Sequence, residues 1–68
     1  MDIIKNESKV YQNTVTRMKA KGMKQLSVLT IKSFLIERFE FWADKHGITF
    51  ILEVRKDGSV TSYKETRV

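Results

Sequence analysis

The sequence of 68 residues predicts a small α+β domain in which two helices precede a β-hairpin. Apolar residues recur with a helical period in the middle of the chain, and they alternate with the period of a strand near its end. A chain of this length forms one domain with a modest core. We therefore expect one domain over residues 1–68, with helices at about 7–21 and 28–46 and hairpin strands at 48–55 and 60–66.

The first predicted element is a helix over about 7–21. Its apolar residues gather on one helical face at Ile4, Tyr11, Val15 and Met18. Asn6 or Ser8 can cap the start of this helix, and Gly22 suits the position that follows a helix end. The β-branched run at 14–16 favours a strand instead. A strand-helix-hairpin order is therefore the alternative fold.

The second predicted element is a long helix over about 28–46, ending before Gly47. At about 100° per residue, five apolar side chains share one helical face: Val28, Ile31, Leu35, Phe39 and Trp42. Phe34 and Phe41 on one side, and Ile36 and Ala43 on the other, widen the apolar arc to roughly 220°, which is more than one neighbouring layer covers. We expect the hairpin to cover one side of this helix. Either the N-terminal segment or a second copy of the chain, in a homodimer, would cover the other side.

The third predicted element is a β-hairpin centred on Asp57-Gly58, a dipeptide typical of hairpin turns. Apolar residues alternate with mostly polar ones before the turn, at Ile48, Phe50, Leu52 and Val54. A two-residue turn would pair Leu52 with Tyr63, whereas a three-residue loop would pair Val54 with Val60. Either register leaves the return strand mostly polar, which is typical of a strand at a sheet edge.

The net positive charge of the chain lies entirely in its first half. Residues 1–36 hold seven basic and two acidic residues, a net charge of +5, whereas residues 37–68 hold six of each. No acidic residue occurs between positions 8 and 36. Because ordinary protein surfaces mix both signs, this segment predicts an anionic partner.

We expect the acid-free segment over 9–32 to bind nucleic acid, DNA or RNA, through its phosphates. The candidate binding residues are Arg17, Lys19, Lys21, Lys24 and Lys32. A DNA-reading helix-turn-helix is disfavoured, because the outer face of the second predicted helix would carry carboxylates, which phosphates repel. The leading expectation is therefore a small basic regulatory protein that contacts the nucleic-acid backbone.

The alternative function is a small protein-interaction module, an inhibitor or adaptor that docks on an acidic surface of a larger protein. Brevity, lack of cysteine and one-sided charge are typical of many small phage, plasmid and regulator proteins. Arg38 falls within the predicted apolar arc, where its stem either covers a ring or pairs with a carboxylate. The other interpretation is that Arg38 anchors an interface. Attachment of a basic amphipathic helix to an anionic membrane surface is a weaker third possibility.

The sequence predicts neither an enzyme nor a cofactor or metal site. It has no cysteine and one histidine, and it lacks a catalytic triad motif and a glycine-rich phosphate loop. No apolar run approaches the roughly 20 residues of a membrane-spanning helix, and the N-terminus lacks the apolar core of a signal peptide. We therefore expect a cytoplasmic protein without membrane insertion.

Overall fold

The computed structural model of the chain describes residues 8–65, in which one helix precedes a four-stranded antiparallel sheet. In chain order the elements are α1 (Lys9–Ala20), β1 (Lys24–Thr30), β2 (Ile36–Ala43), β3 (Thr49–Arg55) and β4 (Val60–Lys64). The strands neighbour one another in chain order, so three consecutive hairpins form a meander. The domain is therefore mostly β, and α1 packs against one face of the sheet.

The predicted helix over 28–46 is wrong, because these residues form the end of β1, a loop, all of β2 and the start of the loop that follows it. The strand-helix-hairpin alternative fails for the same reason. In β2, Glu40 and Trp42 face α1 and are buried, whereas Phe39 and Phe41 face the other way. A half-buried strand normally alternates apolar and polar residues in the sequence. In β2 this pattern is absent, because a carboxylate lies on the buried side and aromatic rings lie on the open side.

The helix predicted over 7–21 corresponds to α1. The side-chain oxygen of Ser8 accepts a 3.0 Å hydrogen bond from the backbone N–H of Tyr11, so Ser8 is the N-cap. Ile4 and Asn6, which the sequence also suggested for this helix, lie outside the described residues.

A Schellman motif ends α1 and sets the direction of β1. The N–H of Met23 donates to the carbonyl of Met18 at 3.1 Å, and the N–H of Gly22 donates to the carbonyl of Lys19 at 3.0 Å. Gly22 has a φ of 85°, the left-handed conformation that this motif requires. Met18 and Met23 are both buried, so the turn closes over an apolar contact.

The hairpin of β3 and β4 has the second of the two registers considered above, with Val54 opposite Val60. Residue 66 of the predicted return strand lies outside the described residues. The hydroxyl of Ser8 donates a 2.6 Å hydrogen bond to the carbonyl of Gly58, in the turn between the strands. This bond ties the N-terminus of α1 to that turn, and the helix crosses the sheet from there towards the start of β1.

The core lies between α1 and the two central strands. Its buried apolar side chains are Met18, Met23, Trp42, Leu52 and Val54. Tyr11, Val15, Phe50 and Val60 pack against this cluster and are partly buried. No helix within residues 8–65 has the length and apolar character needed to cross a membrane.

Candidate functional site

Glu40 is a buried carboxylate at the centre of the interface between α1 and the sheet, and it is 1% exposed. Its Oε2 accepts hydrogen bonds from the hydroxyl of Tyr11 at 2.7 Å and from Nε of Arg38 at 2.8 Å. Its Oε1 accepts from Nε2 of Gln25 and from the indole N–H of Trp42, each at 3.0 Å. Four donors therefore compensate the loss of water around this charge.

The ionisation of Glu40 and Tyr11 follows from this network. Burial raises the pKa of Glu40, but the hydrogen bonds from Tyr11, Arg38 and Trp42 outweigh that effect and hold the pKa below its ordinary value. Burial, together with the bond to Glu40, raises the pKa of Tyr11 to about 12. Near neutral pH the carboxylate stays charged and the phenol stays protonated. The pair is thus suited to hold the helix on the sheet rather than to transfer protons.

Arg38 is directed into the same network. Its guanidinium carbon lies 4.9 Å from the ring centroid of Tyr11, within cation–π range. Besides the bond to Glu40, its Nη1 lies 3.5 Å from a carboxylate oxygen of Glu37. The structure therefore places Arg38 against a ring and two carboxylates, with most of its side chain turned inward.

Four of the five predicted binding residues lie where α1 meets β1. Arg17 and Lys19 lie in the last turn of α1, Lys21 is its C-cap, and Lys24 is the first residue of β1. All four are exposed. No carboxylate of residues 8–65 lies within 4.0 Å of their charged groups. The Schellman turn is what brings these cations together.

Lys32, the fifth predicted residue, lies apart from this group. It occupies the loop after β1, at the opposite end of that strand from Lys24. At about 3.3 Å per residue, the strand separates the two by roughly 20 Å. One contiguous ligand site at the start of β1 therefore does not include Lys32.

Lys45 lies at the same end of the sheet as these cations, although its position in the sequence did not suggest it. It lies in the loop between β2 and β3, and this loop follows Ala43, which pairs with Lys24. Recognising two paired strands in the sequence would have revealed this neighbour. We call Arg17, Lys19, Lys21, Lys24 and Lys45 the basic end of the domain.

The loop that carries Lys45 is held by Asp44. Its Oδ1 accepts hydrogen bonds from the backbone N–H groups of His46 at 2.8 Å and of Ile48 at 2.9 Å. The bond from Ile48 has the largest effect on Asp44, and together these bonds hold the pKa of Asp44 below its ordinary value. Asp44 therefore remains a negative charge at this end, and its carboxylate is occupied with shaping the loop.

A cleft of about 480 Å3 lies at the basic end, between α1 and β1. Its lining residues are Tyr11, Val15, Lys19, Met23, Lys24, Gln25 and Trp42. Lys19 and Lys24 contribute positive charge, whereas most of the other lining residues belong to the apolar core. The basic end is therefore concave, with cations beside an apolar floor.

The second candidate surface is the open face of the sheet, opposite α1. By register and alternation it carries the apolar side chains Leu29, Phe39, Phe41, Ile51 and Tyr63. Its central carboxylate, Glu53, pairs with Arg55 and accepts a 3.0 Å hydrogen bond from the hydroxyl of Tyr63. This face therefore combines apolar side chains with an internally paired charge.

Within the part of the chain that the structure describes, no three His, Asp or Glu side chains lie close enough together to hold a metal ion. Comparison with known proteins gives no further guide to the site, since no family model, no curated protein and no solved structure matches this chain.

Proposed function

We propose that this protein binds nucleic acid through the phosphate backbone, at the basic end. The observation that supports the proposal is the turn between α1 and β1, because Arg17, Lys19, Lys21 and Lys24 are all exposed at this end of the domain. Lys45 extends this group from the neighbouring loop. Several cations that can reach successive phosphates release counterions on binding, and this release favours association.

The attraction in this proposal comes from side chains rather than from helix amides. Arg17 and Lys19 lie at the C-terminal end of α1, where the helix dipole is negative and favours cations. The N-terminal end of α1 lies next to Gly58, at the opposite end of the helix. Side-chain contacts to phosphates position a protein without reading bases. We therefore propose binding with little sequence preference.

The test compares two triple variants that carry the same net charge. Lys19→Gln, Lys21→Gln and Lys24→Gln together remove three cations from the basic end. The control replaces Lys9, Lys32 and Lys56 by Gln, three exposed lysines that lie elsewhere in the fold. Fluorescence anisotropy with labelled DNA and RNA is measured from about 50 to 200 mM salt, a range over which phosphate-dominated affinity falls steeply.

The basic-end variant is expected to lose most of its affinity, and the slope of log K against log salt should shrink by about 2 to 3. The control should stay close to the original chain. An equal loss in both variants would show that net charge alone attracts the ligand. Failure of the original chain to bind either nucleic acid at low salt would refute the proposal.

Purification from lysate, with and without nuclease, distinguishes this function from the adaptor function. The same cations would attract an acidic protein surface. Nucleic acid that co-purifies and is released by high salt supports the proposal. A single protein that stays bound in stoichiometric amount after nuclease treatment, through the basic end, would favour the adaptor instead.

A further inference from the structure

β1 is an edge strand with every residue exposed. It lies at one end of the sheet order, and no strand within residues 8–65 pairs with its outer edge. Its seven residues therefore present a row of backbone N–H and C=O groups to which another strand can bind. The opposite edge strand, β4, is shorter at five residues and is largely polar, with Ser62 and Lys64 exposed.

The composition of β1 is that of a covered strand rather than of a strand facing water. Leu26, Val28 and Leu29 are 61%, 47% and 50% exposed. Val28 and Leu29 project from opposite faces of the sheet, since they pair with Glu40 and Phe39 respectively. Edge strands that face water usually carry charges or proline, which prevent further pairing. β1 has neither of these between Gln25 and its last residue.

The absence of charge along this edge allows a second copy of the chain to be its partner. The protein carries a formal charge of +5, so most approaches between two copies are repulsive. The segment 25–31 is uncharged, and two copies can meet there without opposing like charges. The bulge between Gln25 and Ser27 lies at the start of β1 and leaves Ser27–Thr30 regularly paired with β2. Beyond the bulge, four consecutive residues of this edge are therefore available in regular strand pairing.

We propose that two copies of this chain pair through antiparallel β1 strands and form one continuous eight-stranded sheet. A two-fold axis perpendicular to the sheet relates the copies, so both α1 helices lie on the same face. Residues opposite each other in the two strands must then project from the same face of the sheet. This condition is met when Val28 lies opposite the partner's Val28, or when Leu29 lies opposite the partner's Leu29. The first register brings Lys24 near the partner's Lys32, a like-charge contact.

The second register, with Leu29 opposite the partner's Leu29, takes these two lysines out of direct opposition and weakens their repulsion. It also extends an apolar row across the axis, because Leu29 is paired with Phe39 in each copy. Across the axis, the row consists of Phe39, Leu29, the partner's Leu29 and the partner's Phe39, in that order. Aromatic and aliphatic neighbours across strands stabilise such pairing. We assign this register to the dimer.

A single-cysteine variant tests the register directly, because the natural chain has no cysteine. Opposite residues of antiparallel strands have Cα atoms about 4.5 to 5.5 Å apart, within the range that a disulfide spans. Mild oxidation of Leu29→Cys should therefore give mostly a cross-linked dimer. Tyr63→Cys is the matched control, since Tyr63 is 48% exposed but lies on the other edge strand. Equal cross-linking of both variants would overturn the assignment.

A charge-swap experiment tests the dimer without a covalent bond. Leu29→Lys and Leu29→Glu each place like charges at the axis, so each variant alone should sediment as a monomer of about 8 kDa. An equimolar mixture should restore a dimer, which also shows that both variants are folded. A wild-type chain that is monomeric at high micromolar concentration overturns the proposal. A dimer that survives Leu29→Lys but is lost in Phe41→Lys also overturns it, in favour of face-to-face packing.

Discussion

The hydroxyl of Tyr11 on α1 donates a 2.7 Å hydrogen bond to Oε2 of Glu40 on β2, across 29 residues of sequence. This bond joins the two layers of the domain at a carboxylate that is almost completely buried. It therefore sets how α1 lies on the sheet, and with it where the last turn of the helix meets β1. The position of the basic end depends on this contact.

Tyr11→Phe is expected to destabilise the fold by about 1 to 3 kcal/mol, because it removes a donor from a buried charged group. The change leaves the ring, and hence its packing, in place. Urea unfolding measures the effect. Tyr63→Phe is the control, since its bond to Glu53 is exposed and should matter by less than about 0.5 kcal/mol. Equal losses in the two variants would contradict a special role for the Tyr11 bond.

Glu40→Gln is expected to cost about 3 kcal/mol or more, because it leaves the inward-facing guanidinium of Arg38 without its buried carboxylate. The new amide also directs two N–H groups at atoms that are themselves donors. Glu37→Gln removes the other carboxylate near Arg38, but this one is exposed, so its loss should be within about 1 kcal/mol. Thermal and urea unfolding compare the two. A loss for Glu37→Gln as large as for Glu40→Gln would contradict this account.

Acid should weaken the fold through Glu40. Its pKa is lower in the folded chain than the ordinary value of 4.5, so its unfolded form binds protons first as pH falls. Its stabilising contribution is complete above pH 4.5 and is lost as pH falls through the folded-state pKa. Urea unfolding from about pH 7 to about pH 3 measures this loss, and Glu40→Gln should show a shallower decline. Identical declines would assign acid sensitivity to other carboxylates, such as Asp44 and Asp57.

Alanine substitutions at two glycines distinguish the cost of backbone strain from the cost of a steric contact. Gly22 has a φ of 85°, and a Cβ at this residue would have no atom within 4 Å, so Gly22→Ala should cost about 1 kcal/mol from the left-handed conformation alone. Gly58 has a φ of 96°, and a Cβ there would lie 3.1 Å from Cβ of Ser8. Gly58→Ala should therefore cost more than Gly22→Ala in urea unfolding. The reverse order would show that Ser8 moves away freely.

Local signals in the sequence located the ends of α1 and the β3–β4 turn. Ser8 and Gly22 act through hydrogen bonds and dihedral angles of adjacent residues, which a short stretch of sequence specifies. Gly47 carried the same kind of signal, but it belongs to the loop between β2 and β3 rather than to a helix end. A positive φ identifies a turn and does not say which element precedes it.

The sequence by itself determined the charge asymmetry, and it predicted a helix near 7–21 and a final hairpin, because these depend on composition and on neighbours along the chain. The structure then decided between helix and strand for the first element and between the two hairpin registers. Only the tertiary structure decided that 28–46 contains the end of β1 and all of β2 instead of a helix. The reason is Glu40, a charge inside the core that is stable only when donors from α1, β1 and β2 surround it. Pairing of β1 with β2 likewise placed the loop that carries Lys45 at the same end of the sheet as Lys24, and it left Lys32 at the far end of the strand.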